Sequence, residues 1–385
     1  MPKFSGITRP KLPHVGTTIF AVMSQLANEH NAINLSQGFP DFEISGKLIE
    51  LVRHYMKEGQ NQYAPMQGIP LLRERIIQKI EELYSAKYDP ETEINITAGA
   101  TQGLYTAIQS VIHPGDEVII FLPAYDSYVP AVIINGGKPV YVPMNPPDYS
   151  IDWKQVRSLI TPKTRMIIIN SPHNPAGCVL GSNDLKQLEE VTEGTDIIIL
   201  SDEVYEHIIF DGLEHQSILR YPRLTERSFV VFSFGKTFHA TGWKTGYCLA
   251  PKELMSEFRS VHQFLVYACN TPIQHALADF LKDKENYSGI SLFYQKKRDF
   301  FLKAMKGSRF RFKPSSGSYF QLMDYSQITD ERDTDFAVRM TKEHGVASIP
   351  ISVFYDEDVD NKILRFCFAK KDETLEKAAE ILCRI

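Results

Sequence analysis

Residues 229–246 read FVVFSFGKTFHATGWKTG. The run Phe229-Val-Val-Phe232 is apolar throughout and predicts a short buried strand. Lys236 and Lys244 follow it, set among small and hydroxyl side chains. Gly235, Gly242 and Gly246 let the backbone turn tightly and come close to a ligand. A lysine held in a partly dry pocket has a lowered pKa, which frees its amine to attack a carbonyl. A second lysine nearby depresses that pKa further and can anchor a phosphate. The stretch therefore reads in two ways. In one, Lys236 is a Schiff-base lysine on an aldehyde ligand whose phosphate rests on Ser233 and Lys244. In the other, it is a Gly-rich surface loop with two solvated lysines.

Working outward, the chain alternates strand, loop and helix from about Glu93. Strands are predicted at 94–97, 117–121, 139–142, 166–170 and 196–200, with 229–232 as the last. Ala98 to Gly103 reads as a loop of small residues and Leu104 to Ile112 as a helix. Near-continuous Ile/Val runs between helices predict a mostly parallel sheet covered on both faces. In such sheets ligands bind beyond the carboxyl ends of the strands. The loops at 99–102, 125, 174, 202–205 and 233–244 all lie there. Earlier, Thr17–His30, Ser45–Glu58 and Pro70 to about Ala86 read as helices. Lys252 to about Met305 is helical with a break at Asn270-Thr-Pro272. The last eighty residues mix strands (317–323, 346–350, 362–368) with helices (335–344, 372–382), a smaller α+β domain.

A chain of 385 residues is too long for one ordinary core and predicts two domains. Hydrophobic content of 43% and charged content of 23% fit a globular protein. With a net charge of -5 and no long charged block, nucleic-acid and membrane-surface binding are not indicated. Lys296-Lys297-Arg298 and Lys370-Lys371 read as solvated faces. The five cysteines are scattered and form no CxxC pair, which argues against a disulfide framework or a metal site. The start lacks an apolar core of the signal-peptide kind and no run is long enough to span a bilayer. The expectation is a cytoplasmic protein.

A pyridoxal-type cofactor needs a lysine for its aldehyde, an acid for its ring nitrogen, donors for its phenolic oxygen and an anion hole for its phosphate. Each has a candidate at a strand's carboxyl end. Asp202 either pairs with a pyridinium or caps a helix. Tyr205 either donates to the phenolic oxygen or packs half-buried. Asn174 either donates to the same oxygen or is a turn residue before Pro175. Tyr125 either stacks on the ring or merely packs. The small residues opening the helix near Ala100 and Thr101 offer free N–H groups to an anion.

Taken together, these motifs resemble the fold type I pyridoxal-phosphate enzymes, in their class I aminotransferase branch. SPHNPAG at 171–177, SDEVY at 201–205, SFGKTFHATGWKTGY at 233–247 and LRFCFAK at 364–370 carry the resemblance, in that order. NLSQGFPDF at 34–42, NQYAPMQG at 61–68, SDEVYEH at 201–207 and ASIPISVF at 347–354 are similar to the branch of the methionine aminotransferases and the kynurenine/glutamine-phenylpyruvate transaminases. The resemblance implies a large α/β domain with a mostly parallel seven-stranded sheet, over 46–285, and a smaller α+β domain over 286–385. Residues 1–45 would form an N-terminal arm and part of the small domain.

Carried over residue by residue, the resemblance makes Lys236 the Schiff-base lysine and proton shuttle. Asp202 would pair with the ring nitrogen, Tyr205 and Asn174 would bind the phenolic oxygen, and Tyr125 would stack on the ring. Ser233, Lys244 and the N–H groups of Ala100 and Thr101 would hold the phosphate of pyridoxal 5'-phosphate. Many relatives carry arginine where Lys244 stands; in this branch lysine is the familiar form. Tyr63 would reach the phosphate of a second subunit, implying a homodimer with shared sites. Arg365 would bind the substrate carboxylate, helped by Gly38 and Asn174. Ile19, Phe20, Tyr125 and a second subunit's Tyr267 would form an apolar wall. No second arginine offers itself for a dicarboxylate. The expected substrates are methionine and aromatic amino acids, with glutamine and histidine next, and a 2-oxo acid as acceptor. The alternatives are a kynurenine–oxoglutarate transaminase or cysteine-S-conjugate β-lyase, and a non-catalytic cofactor-binding regulatory module. Such modules carry a helix-turn-helix domain in front and this chain opens on the arm, so the enzyme is the expectation.

Overall fold

The computed structural model describes residues 6–7, 9–13, 15–357 and 359–385. Its centre is a seven-stranded sheet. The strands are β1 (Ile94–Thr97), β2 (Glu117–Leu122), β3 (Lys138–Pro143), β4 (Thr164–Asn170), β5 (Ile198–Asp202), β6 (Ser228–Ser233) and β7 (Gly246–Leu249). Their order across the sheet is β1-β7-β6-β5-β4-β2-β3.

Alternation along the central strands separates two cores. Ile119, Phe121, Ile167, Ile169, Ile199, Val230 and Phe232 join one cluster. Val118, Ile120, Met166, Ile168, Leu200, Phe229 and Val231 join the other. Successive side chains of a strand point to opposite faces, so a strand apolar at every position is covered on both. The helices Ala100–Val111 and Lys252–Leu265 cover the second face, through Leu104, Ile108, Met255 and Phe258. Fully burying one such side chain contributes about 1.5–3 kcal/mol.

Six strands run one way and β7 runs against both its neighbours. No strand is predicted from the sequence at 246–249. Gly246 pairs with Ser233, and the loop between them has no long crossover helix, so the returning strand is antiparallel. This puts the start of β7 beside the ends of β1 and β6. The helix expected at Leu104 begins earlier, at Ala100, with Gly99 as its N-cap.

A second sheet of three antiparallel strands comprises β8 (Phe320–Asp324), β9 (Ile349–Pro350) and β10 (Ile363–Cys367), in the order β9-β10-β8. Ile33-Asn34 pairs in parallel with Val346-Ala347. Thr18 caps the helix Ile19–Glu29 by accepting from the Ala21 N–H at 3.3 Å. The closing helix runs Asp372–Leu382, the predicted span.

Two basic stretches differ from expectation. Arg298 is buried and donates to both oxygens of Asp211 at 2.7 Å. Lys370 is buried and donates to the Phe39 carbonyl at 2.8 Å. Their apolar stems are drawn inside because each head group finds an acceptor there.

Candidate active site

A cavity of about 240 Å³ lies beyond the carboxyl ends of β1, β4, β5 and β6. It is walled by residues that the chain brings from far apart, and most follow a strand end. Gly99, Ala100 and Thr101 follow β1, Tyr125 follows β2, Asn170 and Asn174 follow β4, and Asp202 and Tyr205 come from β5 and its turn. Ser233 and Lys236 follow β6, while Lys244 precedes β7. Lys244 reaches this edge because β7 runs backwards. Arg365 enters from β10, and Phe20 and Gly38 from the N-terminal segment.

Lys236 is half-buried. Its amine donates to the Tyr319 hydroxyl at 2.7 Å and to the Gly38 carbonyl at 3.2 Å, and Tyr319 also bonds that carbonyl. Burial pulls the amine down to about 8, with the positive charges of Arg365 and Lys244 adding to the effect. A substantial neutral fraction near pH 8 is what a nucleophile or proton carrier needs.

Asp202 is 3% exposed. Its Oδ2 accepts from the Tyr128 hydroxyl at 2.6 Å and its Oδ1 from the Val204 N–H at 3.3 Å. Burial raises its carboxyl to about 6, although both hydrogen bonds favour the ionised form. A cationic partner in the cavity would reverse that rise. Tyr205 is buried, with its ring at 5.1 Å and 80° from that of Tyr319. Burial raises its phenol far above the ordinary range, so it remains a hydrogen-bond donor.

Arg365 is 1% exposed. It donates to the Asn174 Oδ1 at 2.7 Å and to the Ser36 carbonyl at 3.0 Å, and its Nε has no partner among the described residues. Phe320 lies 3.9 Å from the guanidinium, Phe20 5.1 Å and Phe354 5.3 Å. Burial lowers even this guanidinium, to about 10. A guanidinium has no acceptor, so the Asn174 amide must turn its oxygen to Arg365, which leaves its NH2 as a donor.

The phosphate candidates also meet. Gly99 has φ +80°, and a Cβ on it would come within 3.2 Å of Lys244 Cε and 3.3 Å of its Nζ. Lys244 therefore lies across the mouth of the twelve-residue helix Ala100–Val111. The first-turn N–H groups of that helix have no intrahelical acceptor. Positive dipole end, ammonium and the Ser233 hydroxyl together fit a dianionic phosphate.

Three expected residues lie elsewhere in this single chain. Tyr63 is 85% exposed and Tyr267 48% exposed, and their rings touch at 5.6 Å. Ile19 packs against the core rather than the cavity wall, because consecutive helix residues point about 100° apart. The sequence reading missed Tyr319, which holds Lys236, and Tyr128, which holds Asp202. A tyrosine carries no spacing signal that marks it as a partner. Gln37, Thr241 and Thr245 line the cavity as well.

Comparison with known proteins adds the following. Residues 30–382 match the family described as aminotransferase class I and II. The chain is 48% identical over 377 residues to the methionine aminotransferase of Escherichia coli (strain K12), covering 98% of both. It is 32% identical to the kynurenine–oxoglutarate transaminase 3 of Homo sapiens, covering 99% of this chain and 90% of that protein. A crystal structure of an Escherichia coli protein with a methionine aminotransferase function superposes with a TM-score of 0.96 at 47% identity, over 98% of this chain and 100% of that one.

Proposed function

The chain belongs to the class I and II aminotransferases, and on that footing we propose that it moves the amino group of methionine and aromatic amino acids to a 2-oxo acid, using pyridoxal 5'-phosphate. The observation that carries this reading is one cavity holding an amine at about 8 on Lys236 together with the buried guanidinium of Arg365. Identity to the Escherichia coli methionine aminotransferase supports the choice of methionine.

In this reading Lys236 holds the cofactor aldehyde. Asp202 would pair with the ring nitrogen, the phenol of Tyr205 and the free NH2 of Asn174 would donate to the ring oxygen, and Tyr125 would stack on the ring. Ser233, Lys244 and the N–H groups of Ala100 and Thr101 hold the phosphate, completed by Tyr63 of a second copy in a homodimer. The bound cofactor supplies an electron sink for the pair left when the substrate's Cα loses its proton. Once the substrate's amine has taken its place on the aldehyde carbon, the freed Lys236 amine would take and return that proton. Arg365 fixes the carboxylate, with Gly38 and Asn174 alongside, which holds Cα under the amine.

Phe20 and Phe320 beside Arg365 make an apolar wall that suits an unbranched thioether or an aromatic ring. Tyr267 of a second copy would extend it. The same aromatic wall favours a second reading, a kynurenine-type donor with an oxoglutarate acceptor. The pairing of Ile33-Asn34 with Val346-Ala347 supports counting residues 1–45 partly with a small domain of 286–385, apart from a large domain of 46–285. Five free thiols fit a reducing cytoplasm, and no helix among the described residues is long and apolar enough to cross a membrane.

The test is spectroscopic. The purified chain with pyridoxal phosphate should show the visible band of lysine-bound cofactor. Methionine and phenylalanine should bleach it, and aspartate should do so slowly. Lys236→Ala should abolish the band and lower turnover by at least about 10³-fold. Unchanged turnover in that variant, or aspartate as the best donor by kcat/KM, would overturn the proposal.

A further inference from the structure

The turn that follows β5 has two sides. Asp202 and Tyr205 line the cavity, whereas Glu203 and Glu206 do not. Both glutamates are nonetheless buried, at 1% and 4% exposure. Glu206 Oε1 pairs with the Lys79 ammonium, and its Oε2 accepts from the Tyr84 hydroxyl at 2.6 Å. Lys79 also donates to the Tyr247 hydroxyl at 3.1 Å. Glu203 accepts from the Ser201 hydroxyl at 2.9 Å and the Ile218 N–H at 3.0 Å, and meets His215 Nε2 at 2.8 Å. The turn is closed between them by the Glu206 N–H on the Glu203 carbonyl, at 3.0 Å.

A buried ion pair is a weak source of stability, because desolvation offsets most of its attraction. An apolar pair would fill the same space at least as well. What the ionic cluster adds is direction. Lys79 and Tyr84 belong to the helix Pro70–Tyr84, and Tyr247, which accepts from Lys79 and lies 3.5 Å from Glu206 Oε1, to β7, so two separate elements meet at one carboxylate immediately after Tyr205. The Lys79 ammonium also sits 5.7 Å from the ring of Phe232, which precedes Ser233 at the end of β6. One cation thus touches both supports of the cavity, the turn that carries Tyr205 and the strand that leads to Lys236. Burial alone would raise the Glu206 carboxyl, but the Lys79 ammonium and the hydrogen bonds hold it below the ordinary range, so the carboxylate stays ionised.

We propose that Lys79, with Glu206, Tyr84 and Tyr247, is a positioning cluster that sets the angle of the Tyr205 phenol over the reactive edge of the cavity. It rests on the reading of Tyr205 as a donor to the cofactor oxygen. It assigns a catalytic consequence to residues that never touch cofactor or substrate.

The test uses the holoenzyme and reads the pH titration of the bound cofactor's visible band beside the thermal midpoint. A phenol bonded to the cofactor oxygen stabilises its negative charge and keeps the titration midpoint low. In the double variant Lys79→Met with Glu206→Leu, no buried charge is left alone. That variant is expected to fold and to titrate about one pH unit higher, a tenfold change in the protonation equilibrium. Tyr84→Phe, which removes one bond, should shift the midpoint in the same direction by less. Should the double variant fail to fold, Tyr84→Phe and Tyr247→Phe give the reading, and an unmoved midpoint in both overturns the proposal. An unmoved midpoint in a folded double variant overturns it as well, even if the thermal midpoint falls. Absence of any visible band in the unaltered protein would instead defeat the functional reading, and this proposal with it.

Discussion

Lys79 and Lys236 are both drawn out of bulk water, and the chain treats them in opposite ways. Lys79, 4% exposed, meets the Glu206 carboxylate and a tyrosine hydroxyl. Lys236 donates to two neutral oxygens, the Gly38 carbonyl and the Tyr319 hydroxyl, and its amine falls to about 8. Arg365 resembles Lys236: its bonds go to an amide oxygen and a carbonyl, and its Nε has no partner among the described residues. A buried cation answered by a protein anion is scaffold. One answered only by neutral dipoles can take an external anion or give up its proton, and such groups concentrate where chemistry occurs.

The comparison can be broken most severely at its scaffold end. Lys79→Met alone leaves Glu206 buried without its cation and should cost about 3–5 kcal/mol in denaturant unfolding. A loss below about 1 kcal/mol, the range of exposed pairs, would show that the pair is not scaffold.

At the other end, Arg365→Lys should fold normally and keep the cofactor's absorbance. Its kcat/KM for methionine should fall about 100-fold, because a lysine replaces two directed bonds with a point charge. A fall of equal size for a substrate analogue without a carboxylate would remove Arg365 from that role.

A smaller effect is expected at Gly99. Alanine there would face Lys244 at 3.2 Å and carry φ +80°. The strain is about 1–3 kcal/mol. Phosphate and cofactor affinity should weaken about tenfold by titration, with the fold retained. Unchanged affinity would place the phosphate away from this helix end.

The mildest prediction concerns acid. Burial holds His173, His207 and His239 down at about 4. Their folded values lie below the unfolded one, so between about pH 4 and 6.5 the unfolded chain binds more protons and stability rises with pH. Asp202, raised to about 6, works against this between its unfolded value and 6, as do the Asp126 and Asp333 carboxyls that burial also raises, while His262 and His275, lowered by burial, add to the histidine side. The thermal midpoint should therefore be lower at pH 5 than at pH 7. His173→Asn should flatten that slope, since an amide has no charge to acquire in the buried site; an unchanged slope would remove His173 from the account.

Much of this site was legible from residue order. A strand of Ile and Val ends where its apolar run stops, and residues such as Asp202 and Lys236 stand just past such ends. Parallel topology then gathers those ends at one edge. The exception is Lys244. It precedes its strand, and only the antiparallel direction of β7 carries it to the same edge. The partners were less legible. Arg365 and Asn174 are separated by 191 residues, yet bonded at 2.7 Å. Tyr319 and Tyr128 were passed over because a phenol's partner is chosen by packing, and nothing in its neighbours' spacing records that choice.

The sequence by itself determined the chemistry: which side chain carries the amine, which the acid and which the guanidinium, and that their strands are covered on both faces. Local periodicity and charge are properties of consecutive residues, so they survive without a fold. The tertiary structure alone decided what each charge meets. Lys79 and Lys236 are the same side chain, and nothing in their own sequence windows says which will be paired. The difference arises when the helix Pro70–Tyr84 lays Lys79 against Glu206 while β6 delivers Lys236 to the neutral oxygens of Gly38 and Tyr319. Burial and partner together set a pKa, and both depend on the packed chain.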